Sequence, residues 1–193
     1  DQLESENIYI YTYPFFDNDY IRNLQIGKKN YVKILLSYIR RISIIIKIKN
    51  FDLIWIEKEL FPYVPFFIEK LFFKKNKIII VDYDDAVFHN FDNSFILFRL
   101  LLSKKYDGVM KYSNKVIVGN QYLYKRAITN NKNSYILPSV INSKKYFKVN
   151  KSTKKNNGKI TIGWVGSIVT SQYLYFLKDV IKQLNIKFKN LEF

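Results

Sequence analysis

Short runs of β-branched and aromatic residues alternate with longer helix-like segments along most of this chain, and that rhythm leaves few architectures open. Ile8 to Tyr13, Asp52 to Ile56, Lys77 to Val81, Lys115 to Val118, Tyr135 to Leu137 and Ile160 to Val165 read as strands. Lys77 to Val81 is a solid run rather than an alternating one, as expected of a strand covered on both faces. Between them, Tyr31 to Ile48, Pro62 to Phe73, Ser94 to Tyr106, Asn120 to about Ala127 and Ser171 to Leu184 read as helices. Tyr31 to Ile48 carries polar residues at Lys33, Ser37, Arg40, Arg41 and Lys47, a spacing of mostly three to four that marks an amphipathic helix. Alternating strands and helices predict a doubly wound, Rossmann-like parallel sheet.

The rhythm is interrupted once. Asn142 to Gly158 is rich in Lys, Asn and Ser and has almost no core residues after Phe147, which predicts a linker. The expected division is a first α/β domain over 1–147, a linker over 148–158 and the start of a second domain over 159–193. A lone strand–helix unit cannot bury its own apolar faces, so the second domain is expected to be incomplete, within a longer protein. No apolar run approaches the roughly 20 residues of a membrane span, and the acidic, polar start (Asp1, Glu4, Glu6) does not read as a signal peptide.

Ligands of such sheets bind beyond the carboxyl ends of the strands, so the residues there are the candidates. They are Glu57, Lys58 and Glu59; Asp82, Tyr83, Asp84 and Asp85, followed by His89 and Asp92; Gly119 and Asn120; and, after the linker, Gly166 and Ser167. Glu57 and Glu59 would share a face of an extended segment, to bind sugar hydroxyls or to face solvent. Asp82-Tyr83-Asp84 has the spacing of a metal-holding carboxylate pair, but it equally suits a strand end with capping carboxylates. His89, the single histidine, suits proton transfer or a hydrogen bond to a sugar hydroxyl; a lone loop histidine with no such role is the plainer alternative. Asn120 reads first as a helix N-cap. A glycine turn between strand and helix, as at Gly166-Ser167, lets backbone approach a phosphate, although it matches no Gly-rich nucleotide fingerprint.

Charge adds a constraint and an ambiguity. Lys and Arg total 32 against 16 acidic residues, a net charge of +16. A polyanionic partner would explain this, and so would codon drift toward Lys, Asn, Ile, Tyr and Phe. Arg, the better residue for bidentate phosphate and base recognition, is confined to Arg22, Arg40, Arg41, Arg99 and Arg126. An anionic membrane surface is therefore favoured over nucleic acid, for which no recognition signature is present. The chain has no cysteine, which excludes disulfides, thiolate metal sites and a thiol nucleophile. A cytoplasmic location, peripheral on the inner face of the membrane, is the expectation.

Five stretches in order carry a resemblance: DLIWIEKELFPYVPFFIEKL (52–71), IIIVDYDDAVFHNFD (78–92), KVIVGNQYLYKRA (115–127), YILPSVINSKKY (135–146) and ITIGWVGSIVTSQYLYFL (160–177). Together they resemble glycosyltransferase family four, whose members retain anomeric configuration and have the two-domain GT-B architecture. The resemblance implies an acceptor-side Rossmann-like domain and the start of a donor-side domain. It implies hexosyl-type transfer from a nucleotide-sugar to a glycan or lipid-linked acceptor, in cell-envelope polysaccharide or glycolipid synthesis, with no cofactor and no metal. By that resemblance His89 is the catalytic residue near the transferred sugar, and Glu57, Glu59, Asp84, Asp85 and Asn120 line the acceptor side. Gly166, Ser167 and Thr170 would lie at the donor diphosphate. The sequence departs from the family in three places: its first strand and Gly-rich loop have no counterpart, the Arg and Lys expected after the glycine turn are replaced by Thr170, Ser171 and Gln172, and the family's paired glutamates would lie beyond Phe193. The fragment alone is therefore expected to be inactive. A non-catalytic glycan- or membrane-binding domain is the alternative. In the membrane reading the basic helix at Tyr31 to Ile48 and the Phe72-Phe73-Lys74-Lys75 segment are the contact elements.

Overall fold

The computed structural model describes residues 7–73, 77–92, 94–141, 158–166 and 170–193. Contacts divide the chain into two units, one of Asp1–Asp17 with Asn30–Ile141 and one of Asn18–Lys29 with Asn142–Phe193. The linker expected over 148–158 falls outside the described residues except for Gly158.

The first unit is built on a four-stranded, all-parallel sheet of β1 (Leu53–Glu57), β2 (Ile78–Tyr83), β3 (Lys115–Val118) and β4 (Ser134–Ile136), in the spatial order β1-β2-β3-β4. This is a mixed α/β, Rossmann-like arrangement, with helices α2 (Tyr31–Ile46), α3 (Phe66–Glu69), α4 (His89–Asp92), α5 (Ile96–Leu102), α6 (Lys105–Tyr112) and α7 (Gln121–Asn130) in the same unit. The strand order runs one way throughout, with no reversal among the described strands. Successive right-handed crossovers in one direction return to the same side of a sheet, and burial follows that rule. Ile56, Ile79, Val81, Tyr83, Val116 and Val118 share one face and are buried in the main core with Val109, Met110, Leu123 and Ala127 of α6 and α7. On the opposite face Leu53, Trp55, Ile78 and Tyr135 are exposed. The solid apolar run of β2 thus does not mean two covered faces along its whole length.

Several boundaries differ from the sequence expectation for physical reasons. Ile8 to Tyr13 belongs to no ladder; Tyr11 and Tyr13 set their rings edge-on to Phe51, at 5.8 and 6.2 Å between centroids. Strand propensity decides little without a neighbouring strand to pair with. The helix expected from Pro62 starts only at Phe66, because Pro65 lacks the N–H and disfavours a helical residue before it. A 3₁₀ turn, Lys70–Phe72, follows it. Ser94 to Tyr106 is two helices, α5 and α6, and the second runs on to Tyr112. Gly108 in α6 is required by packing, since a Cβ there would overlap the Phe66 ring.

In the second unit, α1 (Asn18–Gln25) was not legible as a helix in the sequence. Strand β5 (Ile160–Thr161) pairs in parallel with β6 (Leu191–Glu192), and α8 (Lys178–Lys187) precedes β6, after a 3₁₀ segment at Thr170–Leu177. The predicted strand to Val165 is therefore shorter, and the predicted helix starts as 3₁₀ and ends three residues later. Among the described residues no helix is long and apolar enough to cross a membrane.

Candidate functional site

All four strands of the first unit are parallel, so their carboxyl ends lie along one edge and the segments that follow them meet there. Beyond β1, Lys58 adopts a positive φ of 65° and Tyr63 one of 57°. Such conformations cost a non-glycine residue about 1 kcal/mol or more and persist where the surroundings enforce them. Here the enforcing group is a buried ionic cluster. Glu69 Oε1 accepts hydrogen bonds from the Leu60 and Phe61 amides at 2.5 and 3.3 Å. Lys105 Nζ lies 2.5 Å from Glu59 and 3.3 Å from Glu69, and donates to the Phe61 carbonyl. The side chains of Lys105 and Glu69 are fully buried. Burial pushes the Glu69 carboxyl above the usual carboxylate range, with the Lys105 charge and the Leu60 amide pulling the other way. Glu59 is therefore occupied in fixing the loop, while Glu57 is exposed at the strand end.

The segments after β2, β3 and β4 interlock. The Ser139 hydroxyl donates to Asp84 Oδ1 at 3.0 Å. Gly119 sits so close to Asp84 that a Cβ would lie 3.0 Å from the same oxygen. Asp85 pairs with Lys58 at 3.1 Å, joining the ends of β1 and β2 across solvent-exposed side chains. Asn120 caps α7, its side chain accepting from the Leu123 amide at 3.0 Å, as read from the sequence. Asp82, at the end of β2, is half-buried. Burial, then the nearby Asp84, raises its pKa against the opposing hydrogen bond from Trp55. Among the described residues no three His, Asp or Glu side chains gather closely enough to hold a metal ion.

His89 opens α4, six residues after the end of β2, with its Nε2 2.5 Å from the hydroxyl of Tyr122, a residue of the first turn of α7. Its Nδ1 is 3.7 Å from Asp92. Asp92 in turn pairs with Arg126 at 2.5 Å, and Arg126 also holds Asp107 at 2.7 Å and lies over the Phe88 ring at 4.1 Å. These two carboxylates raise the Arg126 pKa, overcoming the lowering by its partial burial. The imidazole thus has the Tyr122 phenol within hydrogen-bond distance on one side and the Arg126-anchored Asp92 carboxylate 3.7 Å away on the other. Tyr122 and Arg126 were not singled out as site residues in the sequence, and Lys58 stood among the strand-end residues without an assigned role. Tyr122 had one available signal, its place two residues after the capping Asn120 at the end of β3.

Among the donor-side candidates, Gly166 follows β5, and a Cβ there would overlap the Trp164 ring. Thr170 begins the 3₁₀ segment, and Ser167 lies outside the described residues. No family model matches this chain, and no curated protein or solved structure matches it either.

Proposed function

We propose that this chain is the acceptor-side unit, with the beginning of the donor-side unit, of a retaining glycosyltransferase that moves a hexosyl group from a nucleotide-sugar to a glycan or lipid-linked acceptor. The observation that carries the reading is the polar edge of the parallel sheet. Exposed Glu57, the tethered Asp84, the Lys58–Asp85 pair and the His89–Tyr122 pair all follow strand carboxyl ends there. Sugars are bound by such sets of carboxylate and hydroxyl partners, because each sugar hydroxyl donates and accepts. The parallel β5–α8–β6 unit after the linker adds the beginning of a second α/β body.

In this reading His89 keeps its Nδ1 toward Asp92 and exchanges the Nε2 contact with Tyr122 for a hydroxyl of the transferred sugar or the acceptor. Asp84, Asp85 and Glu57 accept from acceptor hydroxyls, Asn120 fixes α7 beside them, and Glu59 acts through Lys105 by holding the loop that follows Glu57. Gly166 and Thr170, and by sequence Ser167, are assigned to the donor diphosphate, whose leaving charge is met by protein donors rather than by a cofactor. The setting is the cytoplasmic face of the cell envelope. His89→Ala in the complete enzyme is expected to lower kcat at least about tenfold with folding intact, the low end of what a positioned proton handler contributes. Unchanged turnover would remove His89 from the mechanism.

A further inference from the structure

Helix α2 carries more aliphatic side chains than its packing buries. Its inward side is Ile34, Ser37, Tyr38, Arg41, Ile44 and Ile45, with Lys33 at its edge, all buried or half-buried. Tyr38 donates to the Pro62 carbonyl and stacks on Phe61 with 6.2 Å between centroids. Arg41 sits 5.6 Å over the Phe15 ring, and burial lowers its pKa. The outward stripe is Val32, Leu35, Leu36, Ile39, Ile42 and Ile46, each between 44% and 67% exposed. At 16 residues the helix carries this stripe over about 24 Å. Monomeric proteins rarely leave a continuous aliphatic surface of that kind uncovered without a use for it.

The charge around the stripe selects its occupant. From Asn30 to Phe51 there is no Asp or Glu; Arg40, Lys47 and Lys49 are exposed and basic and Lys33 is half-buried, while Arg41 is turned inward onto Phe15 and is not offered to a partner. Arg40 is pinned by donating to the Pro14 and Phe15 carbonyls at 3.0 and 2.8 Å, which keeps its charge beside the helix. A second copy docking through the same stripe would bring these cations against their own kind. An anionic lipid surface offers acyl chains to the aliphatic stripe and phosphates to the cations, the combination that holds interfacial helices in the headgroup region. We propose that α2 lies in the plane of an anionic membrane with Val32, Leu36, Ile39 and Ile46 inserted among the acyl chains. The inference does not depend on the transferase reading, because lipid binding is measured without turnover.

The test is co-sedimentation of the chain with phosphatidylcholine vesicles, with and without phosphatidylglycerol. Binding is expected to the anionic vesicles and to weaken with added salt. The double substitution Leu36→Glu/Ile39→Glu, checked for retained helicity by circular dichroism, is expected to lower the bound fraction at least about tenfold. Leu100→Glu, on the exposed surface of α5, is expected to leave it unchanged. Three outcomes would overturn the proposal: no binding by the parent chain, binding that survives the double substitution, or light scattering in the absence of lipid showing a dimer that the double substitution dissociates.

Discussion

Replacing Lys105 with Met tests the buried cluster that shapes the candidate site. The ammonium is wholly buried between Glu59 and Glu69 and also donates to the Phe61 carbonyl. Met keeps most of the side-chain volume, so the change leaves little cavity and mainly removes the charge. Breaking a buried ion pair by deleting one partner costs about 3–5 kcal/mol, because the remaining charge stays desolvated. The assay is urea unfolding followed by circular dichroism, and at neutral pH the stability loss should fall in that range. Its pH dependence has a definite sign. Glu69 already has its pKa raised by burial, and without Lys105 it rises further. A carboxyl whose folded pKa exceeds its unfolded one binds protons preferentially in the folded state. Stability is therefore gained as pH falls through that window and lost as pH rises through it. The variant's deficit should be smaller at about pH 5 than at about pH 8. Adding Glu69→Gln, which keeps an oxygen for the Leu60 amide, should recover part of the loss. A loss under about 1 kcal/mol, the value of a solvated surface pair, or a loss that does not change with pH, would refute the reasoning.

Two further perturbations probe the frame around the site. Gly108→Ala drives a methyl into the Phe66 ring and should cost about 1–3 kcal/mol by overpacking, measured by the same unfolding assay; Phe66→Leu in the same background should relieve it. Asn120→Ala removes the α7 cap and should cost about 1 kcal/mol. Hydrogen exchange should locate the added opening at the first turn of α7, beside Tyr122.

The strands were legible because β-branched runs such as Ile78 to Val81 and Val116 to Val118 allow little else, and Asn120 announced its helix through cap chemistry that is wholly local. What failed depended on distant parts of the chain. Ile8 to Tyr13 has strand composition but no ladder partner. The polar spacing of Tyr31 to Ile48 predicted the helix, which ends at Ile46 and runs into a 3₁₀ turn, but not its rotation, which Tyr38 fixes by reaching Pro62 and Phe61. Glu59 looked like a ligand-facing or solvated carboxylate because nothing in the sequence announces that Lys105, far along the chain in α6, neutralises it. The same distance hid the pairing of His89 with Tyr122, although each residue separately followed a strand end.

The most direct test of the central claim is consumption of a panel of nucleotide-sugars by the complete enzyme, with glycan or lipid-linked acceptors, in the presence of excess EDTA. The account predicts transfer from at least one donor, with the anomeric configuration retained and no loss of rate to the chelator. No transfer from any donor, or transfer that EDTA abolishes, would contradict it.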